Sequence, residues 1–131
     1  MTDEPIDPQL QEIAQRVFDA ARSGEASTLA AYLDAGVPVN LTNGTGDTLV
    51  MLAAYHGHVE AVQLLIDRGA DVDRLNDRGQ SPVAGAIFKG EEAVVRALAA
   101  AGADPRAGHP TAVDAAAMFG REDYLALWEL S

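Results

Sequence analysis

The sequence predicts an all-α stack of repeated helix pairs, on three observations. Gly24, Gly57 and Gly90 recur at an offset of 33 residues, as do Gly36, Gly69 and Gly102, and Gly46 with Gly79; a fixed period of that length marks a repeat architecture. Hydrophobic residues make up 48% of the 131-residue chain but aromatics only 5%. The core is therefore mostly Ala, Leu and Val, side chains small enough to let helices approach in thin layers. Between the glycines, each unit places a Ser or Thr before a short apolar run, the pattern of a capped helix.

The elements follow in order. Residues 1–7 read as a disordered tail. Asp7-Pro8 resembles an N-cap followed by a first-turn proline. A long first helix is expected from about Pro8 to Arg22, with Leu10, Ile13, Val17 and Ala21 on one face. Thr48, Ser81 and Thr111 are N-caps whose hydroxyls accept from orphan amides of the next helix. In the second unit a helix over Leu49 to His56 ends at Gly57, where glycine takes a left-handed turn at low cost. A second helix over Val59 to Arg68 carries Val59, Val62, Leu65 and Ile66 on one face, and Gly69 ends it. Val95, Leu98 and Ala99 fill equivalent slots in the third unit. The connection Asn76-Asp77-Arg78-Gly79 is rich in turn formers. The fourth unit repeats at an offset of 30, so its connecting loop is three residues shorter.

The chain resembles the ankyrin repeat. The residues that carry the resemblance are Gly46, Thr48, Ala53-Ala54, Gly57-His58, Leu64-Leu65 and Gly69-Ala70-Asp71 in the second unit. In the third they are Gly79, Ser81-Pro82, Ala86, Gly90, Leu98 and Gly102-Ala103-Asp104. The resemblance runs from about Val17 to Leu130. It implies a solenoid of antiparallel helix pairs with projecting β-hairpin turns, in four units of about 8–40, 41–73, 74–106 and 107–131 within one domain of residues 8–131. There are departures. Met51, Ala84 and Asp114 hold the slot of the family's histidine, which implies looser ties between neighbouring turns. Gly85 lies inside a helix, at a cost of about 1 kcal/mol relative to Ala.

A terminal repeat must turn a polar face to water. In the last unit Glu122 and Glu129 stand in the slots of Val59 and Ile66. Leu125, Leu127 and Trp128 are then expected to point back onto the third unit.

The charge balance is 9 basic against 20 acidic residues, a formal net charge of −11. Such a field repels nucleic-acid phosphate and anionic membranes, so the expected partner is another protein with a basic or neutral surface. The same acidity also serves solubility alone. There is no cysteine, so disulfide and thiolate chemistry are absent. Met1 to Pro8 is acidic and no long apolar run follows. The expectation is a cytoplasmic protein, monomeric on its own, without cofactor.

Three constellations invite chemistry. His56 and His58 flank Gly57, but that spacing does not set both imidazoles on one face, and no third metal ligand is near in sequence. In the family the Gly-His slot that His58 fills serves structure. His109 with Asp114 can be drawn as an acid–base pair, without any nucleophile motif. Gly44-Thr45-Gly46 lacks the Lys-Ser/Thr of a phosphate loop. More informative is the end of each first helix, where Arg22-Ser23, Tyr55-His56, Phe88-Lys89 and Met118-Phe119 align. The resemblance places this row on the concave side beside the turn tips. Aromatic and Met side chains there are interface anchors, or else padding between neighbouring helices. The residues expected to meet a partner are Arg22, Tyr55, His56, Phe88, Lys89, Met118 and Phe119, with Thr45, Asp47, Asp77, Arg78 and Gln80 from the turns. The expected function is protein–protein interaction. The alternatives are a protective or immunity-type inhibitor of a toxic or redox enzyme and, more remotely, an enzyme or metal protein using His56, His109 or Asp114.

Overall fold

The computed structural model describes residues 8–130. The tail expected over residues 1–7 and its Asp7 cap lie outside them. Seven α-helices occur in order: α1 Pro8–Ser23, α2 Ala26–Asp34, α3 Leu49–Tyr55, α4 Val59–Asp67, α5 Pro82–Lys89, α6 Glu92–Ala100 and α7 Ala112–Met118. A 3-10 helix over Glu122–Trp128 follows. Helices α1, α3, α5 and α7 pack in one row, and α2, α4, α6 and the 3-10 helix in a second. The two rows close on a continuous core of small and branched side chains, among them Val17, Leu29, Leu49, Val62, Leu65, Val83, Val95, Leu98 and Ala115. This is the two-layered solenoid expected from the repeat.

The caps form as the sequence implies. The hydroxyl of Thr48 accepts from the Met51 amide at 3.2 Å, that of Ser81 from Ala84 at 3.2 Å, and that of Thr111 from Asp114 at 3.0 Å. Thr48 and Ser81 are buried, and the bond satisfies a hydroxyl that burial would otherwise penalise. Gly24 shows why its column is glycine. Its φ is +74°, and a Cβ there would meet the His58 ring at 2.5 Å. His58 lies so close because its Nε2 donates to the Arg22 carbonyl at 2.8 Å, pinning the second unit to the first.

Four expectations need correction. Leu10 and Ile13 do not share the buried face of Val17 and Ala21; both are exposed, Leu10 at 59%. Helix α1 has 16 residues against seven in α3, and residues 9–13 of its first turns are all exposed. Val59 is likewise exposed, and Ile66 only half-buried. The buried face of α4 is Ala61, Val62 and Leu65, a stripe rotated toward the small residue that lets α3 approach. The last outer element winds as a 3-10 helix rather than an α-helix. Its buried anchor is Tyr124, with Leu127 and Trp128 half-buried beside it and Leu125 outside the core cluster. Trp128 Nε1 donates to the Ala103 carbonyl at 2.7 Å. Glu129 is exposed and caps the helix in a left-handed conformation, with φ 58°.

The turns are tied by groups other than the missing histidine. The first two close on Asx turns: Asn43 Oδ1 accepts from the Thr45 and Asp47 amides, and Asn76 Oδ1 from those of Arg78 and Gln80. Thr42 and Thr48 form a single antiparallel bridge. Between turns, the Asp77 amide donates to the Thr45 carbonyl at 3.0 Å, and the His109 amide to that of Gly79 at 2.9 Å. Asn76 Nδ2 adds a bond to Asp47 Oδ1 at 2.9 Å.

Gly85 has an ordinary helical φ, and a Cβ there would meet Tyr55 Cδ1 at 3.7 Å, a normal contact. Space does not demand glycine. Gly85→Ala is expected to stabilise the chain by about 0.5–1 kcal/mol through helix propensity. Urea unfolding checks this, and a loss of stability would contradict it.

Candidate functional site: a groove along the inner helices

A groove of about 520 Å³ runs along the inner helices and beneath the turns. Helix α3 gives it Met51, Leu52 and Tyr55. The next turn and α5 give Asn76, Arg78, Gln80, Ser81, Pro82, Ala84, Gly85 and Phe88. The last unit gives Pro110, Ala115, Met118 and Phe119, and the first turn Thr45 and Asp47. The floor is apolar and the polar groups gather on the turn side, as in sites where a few polar groups orient a mostly apolar ligand.

The row read from the sequence is exposed. Tyr55 is 42% accessible, Phe88 58%, Met118 67% and Phe119 45%. All four lie outside the buried core, and they also contact one another and their neighbours. Phe88 and Phe119 meet edge to face, with ring centroids 5.3 Å apart. Lys89 Nζ lies 4.9 Å from the Tyr55 ring centroid, within cation–π range. His56 sets its ring edge-on to Tyr55 at 5.7 Å and stacks on His58 at 6.5 Å.

Eight of the twelve residues singled out in the sequence line the groove: Thr45, Asp47, Tyr55, Arg78, Gln80, Phe88, Met118 and Phe119. Lys89 and His56 touch Tyr55 from outside. Arg22 pairs with Asp19 at 3.0 Å on the surface of α1, away from the lining. Asp77 contributes its backbone amide to the tie between turns. Sequence reasoning missed the floor, Leu52, Gly85 and Ala115. Each lies three residues before a member of the aromatic row, one helical turn earlier, so the spacing held that signal.

Asp47 is the turn's hub. Its Oδ2 accepts from the Thr45 hydroxyl at 2.7 Å and from Asn43 Nδ2 at 3.4 Å, and its Oδ1 from Asn76. Burial pushes its carboxyl up, but bonds from Thr45, Asn76 and Asn43 and the nearby Arg78 charge outweigh that and hold it below the ordinary 3.8. A depressed folded pKa stabilises the fold above the unfolded pKa, and that stability is lost as pH falls through the folded value. Asp47→Asn is therefore expected to melt below wild type near neutrality, with the gap closing as pH drops from about 5 to below 3.8. A gap of constant size across that titration would contradict the assignment.

Among the described residues no group of three or more His, Asp or Glu is arranged to hold a metal. His109 and Asp114 are both exposed and make no hydrogen bond to each other among the described residues. Nor is any described helix long and apolar enough to cross a membrane.

A family model for ankyrin repeats in three copies matches residues 17–109. The chain is also similar to an ankyrin repeat protein of Pseudomonas aeruginosa, at 48% identity over 61 residues. That match takes in 44% of this chain and spans only 36% of the relative's length. Ankyrin-repeat proteins are in general non-enzymatic protein–protein interaction scaffolds. With the period, the capped helix pairs and the two packed rows in place, the chain belongs to the ankyrin-repeat family.

Proposed function

We propose that this chain is an interaction module that holds a partner protein in the groove, with the turn tips as one rim. The observation that carries the reading is the exposed row Tyr55, Phe88, Met118 and Phe119 along an apolar floor. Equivalent positions in a solenoid form a row, and exposed aromatic and Met side chains in a row are what a partner buries. Exposure also separates binding from folding, because truncating these side chains removes little core.

The test compares wild type with Tyr55→Ala and Phe88→Ala, first as bait for a partner and then in titration of that partner, beside their melting curves. Each variant is expected to weaken binding by about 1–3 kcal/mol with its melting temperature nearly unchanged. If both bind like wild type, the partner uses another face, such as the outer surface around Glu60, Gln63 and Asp67. Stability falling in step with binding would mark the row as packing.

A further inference from the structure

We propose that the groove takes a partner segment with a carboxylate beside an apolar or aromatic anchor, and that Arg78 receives the carboxylate. This rests on the groove being the binding face, and it runs against what the net charge of −11 suggests at first.

The local distribution of charge carries the inference. Of the nine basic residues, five are in ion pairs: Arg16, Arg22, Arg68, Arg96 and Arg121. All five lie on helices or cap them. Lys89 is engaged on the Tyr55 ring. Arg74, Arg78 and Arg106 remain without an ion pair among the described residues, and all three lie in connecting turns. Of these, Arg78 alone lines the groove.

Asp47, the one carboxylate among the described lining residues, cannot serve a basic partner well. It already accepts from Thr45, Asn43 and Asn76. A partner's cation would have to displace those bonds and loosen the turns. Asp77 and Asp114 are exposed but do not line the groove. What the groove offers is thus an apolar floor and the Arg78 guanidinium, whose charge lies near Asp47 but which makes no side-chain hydrogen bond or ion pair among the described residues. The guanidinium fork matches a carboxylate bidentately. The anchor would sit on Phe88 and Met118, which line the same groove as Arg78. Overall acidity acts on approach and sets association rate, while contact within the groove sets which segment stays.

The experiment selects random peptides displayed on phage with the full chain, in parallel with Arg78→Glu and Phe88→Asp. Melting curves confirm that both variants fold, as the exposure of Arg78 and Phe88 leads one to expect. Wild type should enrich peptides with Asp or Glu near an aromatic or aliphatic residue. A synthetic copy of one such peptide should lose about tenfold in affinity to Arg78→Ala and bind Phe88→Asp still more weakly. Arg78→Glu should enrich Lys or Arg at the same place. Peptides lost with Phe88→Asp but indifferent to Arg78, or rich in Lys and Arg on wild type, would overturn this inference and leave the groove reading standing. Peptides that bind Phe88→Asp unchanged would overturn the groove reading itself. Failure to enrich any peptide would show that the groove takes no short segment, and would overturn the inference too.

Discussion

Deleting residues 121–131 should leave a chain that aggregates or melts without cooperativity. Among the described residues, the 3-10 helix is the element that packs on α6 at the open end of the outer row. It brings down Tyr124, buried to 1%, and the half-buried Leu127 and Trp128. Tyr and Trp each bury about 150–250 Å² when packed. Their removal uncovers Val94, Val95 and Leu98, which are now at or below 1% exposure, in one contiguous patch. An apolar patch on a solenoid end is complementary to other such ends, so self-association follows. The charged groups of the segment matter less. Arg121 bridges Glu92 and Asp123, but all three are on the surface, where such pairs contribute little. The measurement is size-exclusion chromatography with circular dichroism on the truncated chain. A soluble monomer with a sharp transition near the wild-type temperature would show that α6 and α7 form an adequate end by themselves.

The period and the capping residues made most of this fold legible. Thr48, Ser81 and Thr111 cap where their hydroxyls were read to do so, because capping is local and depends on a few adjacent atoms. The exposed row was legible for a related reason: equivalent positions in repeated units share an environment. What stayed hidden depends on neighbours that differ between units. Leu10 and Ile13 continue the helical face of Val17 and Ala21, yet only part of that face has a helix against it. Tyr124 holds the slot of Val94 in the shorter last unit, but the sequence points instead to Glu122 and Glu129 as the polar face and to Leu125, Leu127 and Trp128 as the packed one. The role of Asp47 was also not readable. Its partner Asn76 lies 29 residues away, and a polar turn residue looks the same in sequence whether it faces solvent or ties two turns together.

Leu65→Ala should destabilise the chain by about 2–5 kcal/mol, while Val59→Ala should change stability by less than about 0.5 kcal/mol. Both residues belong to the helical face read from the sequence of α4, and only the structure separates them. Leu65 is fully buried in the core cluster, between α3 within its own unit and the outer helices on either side. Truncation removes three carbons from a site walled by packed helices that cannot collapse freely, so a cavity term adds to the lost transfer energy. Val59 begins the helix at 36% exposure, and Ala there also restores a little helix propensity. Total stability for a chain of this size is about 5–15 kcal/mol, so Leu65→Ala removes a large share of it. In a stack where each unit contacts only its neighbours, the loss falls on the interfaces to both sides. The unfolding curve of Leu65→Ala is therefore expected to broaden as well as shift, as one part of the stack opens before the rest. Paired urea titrations of the two variants measure this directly. Equal losses would restore the unrotated face with Val59 inside, and a loss under about 1 kcal/mol for Leu65→Ala would mean that the α4 layer relaxes around the missing side chain.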